Sequence, residues 1–109
     1  MTLTNSTPPV VMTCSWEAHQ FDGKLMANGA RYNPQAFVCA TYQFEIGTVL
    51  RLTEVRNGLT VTVTVTDRPK KIYGKRLDLS PRAFSELDGL ELGLCTVTAT
   101  VVKNKGNYP

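Results

Sequence analysis

Apolar and polar residues alternate along much of the second half of the chain. Residues 60–66, TVTVTVT, alternate strictly, and residues 96–102, TVTATVV, nearly so. A period of two places every second side chain on one face, the mark of a strand buried on one side. Residues 48–55, TVLRLTEV, form a third apolar strand. Between it and the next, Arg56-Asn57-Gly58 predicts a tight hairpin with positive φ at both Asn57 and Gly58. Two short helices interrupt the strands. Ser80 is placed to cap one, Pro81 to open it and Gly89 to end it, with Leu79 and Phe84 positioned as a hydrophobic staple. Upstream, Asn33, Pro34, Tyr32 and Phe37 can take the same parts.

These segments suggest a repeat. Asn33-Pro34-Gln35-Ala36-Phe37 corresponds to Ser80-Pro81-Arg82-Ala83-Phe84, and Glu45-Ile46-Gly47 before one strand corresponds to Glu91-Leu92-Gly93 before another. Two copies of a strand-and-helix unit are too few to stack as a solenoid, which needs at least about three. They predict an all-β fold instead, a small closed barrel with pseudo-twofold symmetry, its interior filled by alternating Val, Leu and Ala. Closure brings loops of both halves to one side, where a site belongs. The symmetry also predicts equivalent buried positions for Phe37 and Phe84.

A chain of 109 residues is one domain, able to bury about 65% of its unfolded surface. With 42% hydrophobic and 19% charged residues, it is too apolar for disorder. The polar, proline-bearing start predicts a tether over residues 1–11, a barrel over 12–103 and a tail over 104–109. A net charge of +3, spread thinly, argues against a nucleic-acid surface. The one local basic cluster is Arg68, Lys70, Lys71, Lys75 and Arg76, which as a bare loop is simply solvated. No apolar run reaches the roughly 18 residues of a membrane span, and the N-terminus lacks the basic start and apolar core of a signal peptide. Such a chain is either cytoplasmic or separated from its targeting segment. Cys14, Cys39 and Cys95 match no zinc spacing. Their odd number fits one disulfide plus one buried thiol, or three buried thiols.

The candidate chemistry lies around the basic loop. Asp67 closes the alternating strand and Asp78 opens the second helix, with Tyr73 between them. In order along the chain, Ser15-Trp16, Ala27-Asn28-Gly29, Tyr32-Asn33, Gly47-Thr48, Arg56-Asn57-Gly58, Thr66-Asp67-Arg68 and Leu77-Asp78-Leu79-Ser80 resemble the six-stranded double-psi β-barrel of rare lipoprotein A-like proteins. Several separate motifs in order are more specific than any one of them. LDLSPRAF, with an aspartate upstream, is also similar to the barrel domain of bacterial expansins.

The resemblance implies a cell-wall polysaccharide partner, peptidoglycan before others, and an extracellular, periplasmic or cell-envelope setting. It implies a monomer with no metal, cofactor, nucleic acid or membrane span. In the transglycosylases of this likeness the aspartate matching Asp67 belongs to the catalytic set. In expansins both aspartates line the glycan groove, and the one matching Asp78 is needed for wall loosening. The chain departs from the transglycosylase pattern at Ala30 and Thr41, where that pattern has a glutamate and a histidine, and at Glu17 and Ala18. His19, the single histidine, does not occupy the expected place.

Breaking a glycosidic bond requires an acid for the leaving oxygen, and a lytic transglycosylase can use one carboxyl group that gives and then regains a proton. The basic loop favours ionised Asp67, suiting it to holding hydroxyls or supporting oxocarbenium charge rather than to acid work. Trp16-Glu17 together with Leu77-Asp78-Leu79 is also similar to the inverting family 45 endoglucanases, which implies Glu17 as base and Asp78 as acid. The catalytic candidates are therefore Asp67, Asp78 and Glu17. Tyr73, Trp16, Tyr42, Ser15 and Arg68 are the glycan-binding ones, the aromatics by stacking on sugar faces. Each also has an ordinary reading: Asp67 bonding its own loop, Asp78 favouring a helix start, Glu17 on an edge strand, the aromatics in the core.

Overall fold

The computed structural model describes residues 8–17, 22–70 and 76–104. The described strands are β1 (Val10–Trp16), β2 (Val38–Ala40), β3 (Val49–Glu54), β4 (Thr60–Asp67), β5 (Leu77–Leu79) and β6 (Leu94–Lys103). One α-helix, α1 (Pro81–Ser85), follows β5, and a 3-10 turn (Leu90–Leu92) precedes β6. The alternating segments became β4 and β6 with their Val and Ala side chains inward: Val61, Val63, Val65, Val97 and Ala99 are all buried. β1 begins at Val10, so the strand reaches into the segment expected to be tether.

The strands close in the order β1-β5-β2-β4-β3-β6. β1 with β5 and β2 with β4 are parallel, while β1–β6, β2–β5, β3–β4 and β3–β6 are antiparallel. Exchanging β1 with β4, β2 with β5 and β3 with β6 turns this set of pairings into itself. The pseudo-twofold is therefore written in the topology, which is that of a double-psi β-barrel. Closure removes open sheet edges. The core is one continuous cluster that includes Leu50, Leu52, Leu77, Leu79 and Phe84, with Trp16 and Phe44 packed at its margin.

Three local expectations are corrected. Residues 33–37 form a turn and no helix: the Asn33 side chain accepts from Gln35 N at 2.9 Å, and Ala36 N donates to Asn33 O at 3.0 Å. This segment precedes β2, whereas Ser80–Phe84 follows β5, the symmetry mate of β2. The two motifs thus match in sequence without being related by the barrel's axis. Accordingly Phe84 is fully buried while Phe37 is 40% exposed, its ring carrying the Arg82 guanidinium at 5.3 Å. In the β3–β4 hairpin Gly58 has φ 75°, but no described residue other than glycine has positive φ. Asn57 keeps negative φ because its side chain already bonds three ways, to Glu54 Oε1, Leu87 O and Leu59 N. The turn is consequently longer than two residues. Finally, Asp78 lies inside β5 and does not open α1. The three cysteines are buried thiols.

Candidate active site

Four adjacent strands build the site. Register places Ser15 of β1 beside Asp78 of β5, Asp78 beside Ala40 of β2, and Ala40 beside Asp67 of β4. Paired residues point to the same side of a sheet. Their neighbours Cys14, Leu77, Leu79 and Cys39 fill the core, so Ser15, Asp78 and Ala40 face outward. Asp67 joins them through a bulge. Cys39 pairs with Val65, but Ala40 pairs with Asp67, one residue of β4 being skipped. Without that extra residue Ala40 would meet Thr66, and Asp67 would point the other way. Two strand spacings separate the Asp78 and Asp67 backbones, about 9–10 Å.

The side chains are held individually. Ser15 Oγ donates to Asp78 Oδ1. Asp67 Oδ1 accepts from Ala27 N at 2.9 Å and from Arg68 N at 2.8 Å, and Asn28 N donates to Thr66 O at 3.1 Å. The Ala27-Asn28-Gly29 turn is thereby docked on the end of β4. Glu17 follows β1 directly, its backbone N–H donating to Leu79 O at 2.8 Å. Together Glu17, Ala40, Asp67, Arg68, Pro69, Lys70 and Asp78 line a cleft of about 70 Å³.

Burial, followed by the Asp78 and Asp67 carboxylates, pushes Glu17 up to about 8. A carboxyl group so placed holds its proton at neutral pH, as an acid must. That direction runs against the base role expected for Glu17 by likeness to the endoglucanases. Tyr32 adds a second feature. Its hydroxyl is buried with no hydrogen-bond partner among the described residues, and burial together with the charges of Glu17, Asp22 and Asp78 raises it above the ordinary phenol range.

The other expected residues divide. Arg68 lines the cleft, but its Nη1 donates to Thr41 O and, at 2.6 Å, to Phe44 O. It sits 6.0 Å from the Tyr42 ring centroid, on the side of an exposed aromatic next to the cleft. Trp16 packs on the core margin with Nε1 donating to Leu90 O at 2.9 Å, and it is not part of the cleft lining. Tyr73, His19, Lys71 and Lys75 lie outside the described residues. Of the two positions at which the resemblance leads one to expect a glutamate and a histidine, Ala30 is exposed and Thr41 is fully buried. Neither titrates. Sequence reasoning missed Ala40 and Pro69 as lining residues, since nothing local marks them, and Lys70 was visible only as one member of a basic cluster.

Residues 13–99 match the family model described as lytic transglycolase, a double-psi β-barrel family. The chain belongs to this family. It is 34% identical over 97 residues to an endolytic peptidoglycan transglycosylase RlpA of Campylobacter jejuni, an alignment covering 85% of this chain and 35% of that protein. It is also 34% identical over 91 residues to an uncharacterized protein of Synechocystis, covering 84% of this chain and 97% of that one. The chain thus spans about a third of the length of the transglycosylase it matches, and nearly the whole of the smaller relative. Among solved structures, a mutant Clavibacter michiganensis expansin in complex with cellohexaose superposes with a TM-score of 0.68 at 20% identity, covering 93% of this chain and 54% of that one. The likeness to the expansin establishes a shared fold.

Proposed function

We propose that this domain binds a cell-wall glycan strand, peptidoglycan in the first place, across the cleft between Asp78 and Asp67, outside the cytoplasm where such glycan lies. The observation that carries this reading is the outward row Ser15-Asp78-Ala40-Asp67 on four neighbouring strands, which places two carboxylate-bearing residues on backbones about 9–10 Å apart. Carboxylates accept strong hydrogen bonds from sugar hydroxyls, and small Ala40 leaves the floor between them low. A volume of about 70 Å³ admits a substituent of a sugar, not a whole ring, so the strand lies along the surface with one group inserted. Membership of the lytic transglycolase family supports peptidoglycan as the ligand. The mutant Clavibacter michiganensis expansin, which contains a domain of this fold and was solved in complex with cellohexaose, supports a glycan as the class of ligand.

A second reading, turnover, is favoured by Glu17 alone. Raised to about 8, it is the group suited to protonate a glycosidic oxygen while the muramyl C6 hydroxyl attacks C1, and then to take up the hydroxyl proton. Asp67 and Asp78 would support the developing positive charge. This route needs one acid–base carboxyl, so it survives the replacement of the family's glutamate and histidine by Ala30 and Thr41.

Both readings are tested by incubating sacculi with the protein, measuring retention on the pellet and analysing released fragments by mass spectrometry. Retention with intact glycan supports the binding module. Anhydro-muramyl ends support transglycosylation through Glu17, and reducing ends mean hydrolysis. Neither retention nor products overturns both.

A further inference from the structure

Away from the carboxylate cleft, Cys14 of β1 and Cys95 of β6 are direct register partners on adjacent antiparallel strands. Both are buried, at 0% and 8% exposure, so both point into the barrel. Facing pairs on neighbouring strands have Cα atoms about 4.5–5.5 Å apart, within the roughly 4.4–6.8 Å that a disulfide spans. Cys39 is excluded as a partner of Cys14. β5 stands between β1 and β2, and two strand spacings of about 4.8 Å exceed the roughly 7 Å limit for a bridge. The two partners differ in access. Cys95 lines a second cleft of about 320 Å³ between Glu54, Arg56, Leu92 and Leu94, whereas Cys14 is sealed.

We propose that Cys14 and Cys95 form a dithiol–disulfide site that a small disulfide such as oxidised glutathione oxidises through the Cys95 cleft. The closeness of the two thiols draws Cys95 below its ordinary value and, with burial, pushes Cys14 up. Cys95, which opens on the cleft while Cys14 is sealed, is the attacking thiolate. It attacks one sulfur of the disulfide and expels a thiolate, leaving a mixed disulfide on Cys95. Cys14, passing its proton to the released thiolate, attacks the Cys95 sulfur and expels the second thiolate. Two protein thiols and one disulfide become one protein disulfide and two small thiols, with no other oxidant. The bond ties β6 to the strand that carries Ser15 and leads into Glu17.

The test uses the native protein and oxidised glutathione, followed by alkylation and non-reducing peptide mapping. We expect one cross-linked peptide joining Cys14 to Cys95, with Cys39 alkylated only after unfolding, and a higher urea midpoint for the oxidised form. In Cys14→Ser the reaction halts at a glutathionyl adduct on Cys95, and in Cys95→Ser neither adduct nor bridge forms. A bridge that contains Cys39, a bridge that appears only in urea, or native wild-type protein left fully reduced overturns the proposal.

Discussion

Glu17 is where environment changes a residue's chemistry most. Next to β1 and close to two other carboxylates, it keeps its proton in the folded state up to about pH 8, against an ordinary value of 4.5. Between those values the folded state binds more protons than the unfolded one, so the group's contribution to stability falls as pH rises. Glu17→Gln should therefore stabilise the protein at pH 8 relative to pH 5, by about 1–2 kcal/mol once solvent at the cleft mouth screens the charges. Thermal melts of both proteins at the two pH values check this, and an equal difference at both would remove the buried acid. Asp67 has two duties that substitution separates. Asn retains an oxygen for the Ala27 and Arg68 N–H groups, so Asp67→Asn should fold normally while glycan retention falls at least about tenfold. Asp67→Ala leaves both donors without their acceptor and should also cost about 1–3 kcal/mol. Melting curves and sacculus pull-downs on the same samples read both effects.

At the level of elements, similar sequences met different surroundings. α1 forms because Ser80 Oγ accepts from Ala83 N at 3.2 Å and donates to Ala36 O, with Pro81 at its first turn and Phe84 driven into the core. Asn33-Pro34 offers the same local cues, yet Tyr32 takes the buried place there and Phe37 stays at the surface. Phe84→Ala should cost about 3–5 kcal/mol. Phe37→Ala loses only a half-covered ring and its contact with Arg82, and should cost no more than about 1 kcal/mol. Urea unfolding of the two variants measures the contrast, and equal losses would restore the symmetric expectation.

For the whole molecule, barrel closure makes β6 indispensable. It is the antiparallel partner of both β1 and β3, so a chain ending before Leu94 exposes two strand edges and opens the core at Val97 and Ala99. Such a truncation should be unfolded, with circular dichroism lacking the strand signal and no cooperative melt. A cooperative transition would show that the remaining five strands hold a core without closure.

The alternating runs of β4 and β6, the Ser80-Pro81 start of α1 and the order of motifs along the chain could be read from the sequence, because each depends on neighbours a few residues away. Period two places Val61, Val63 and Val65 on one face whatever they pack against. The same locality explains the errors. Asn57-Gly58 signals a tight turn, but bonds to Glu54 and Leu87 hold Asn57 at negative φ. The resemblance of Asn33–Phe37 to Ser80–Phe84 carried no information on which side of its strand each segment would fall. The parallel pairings of β1 with β5 and β2 with β4, the bulge that turns Asp67 outward beside Ala40, and the facing of Cys14 with Cys95 were decided by the tertiary structure alone. The acid character of Glu17 arises in the same way. It requires Asp67 and Asp78, remote in the chain, to meet Glu17 in one partly buried cleft, and electrostatic proximity of that kind exists only after the barrel has closed.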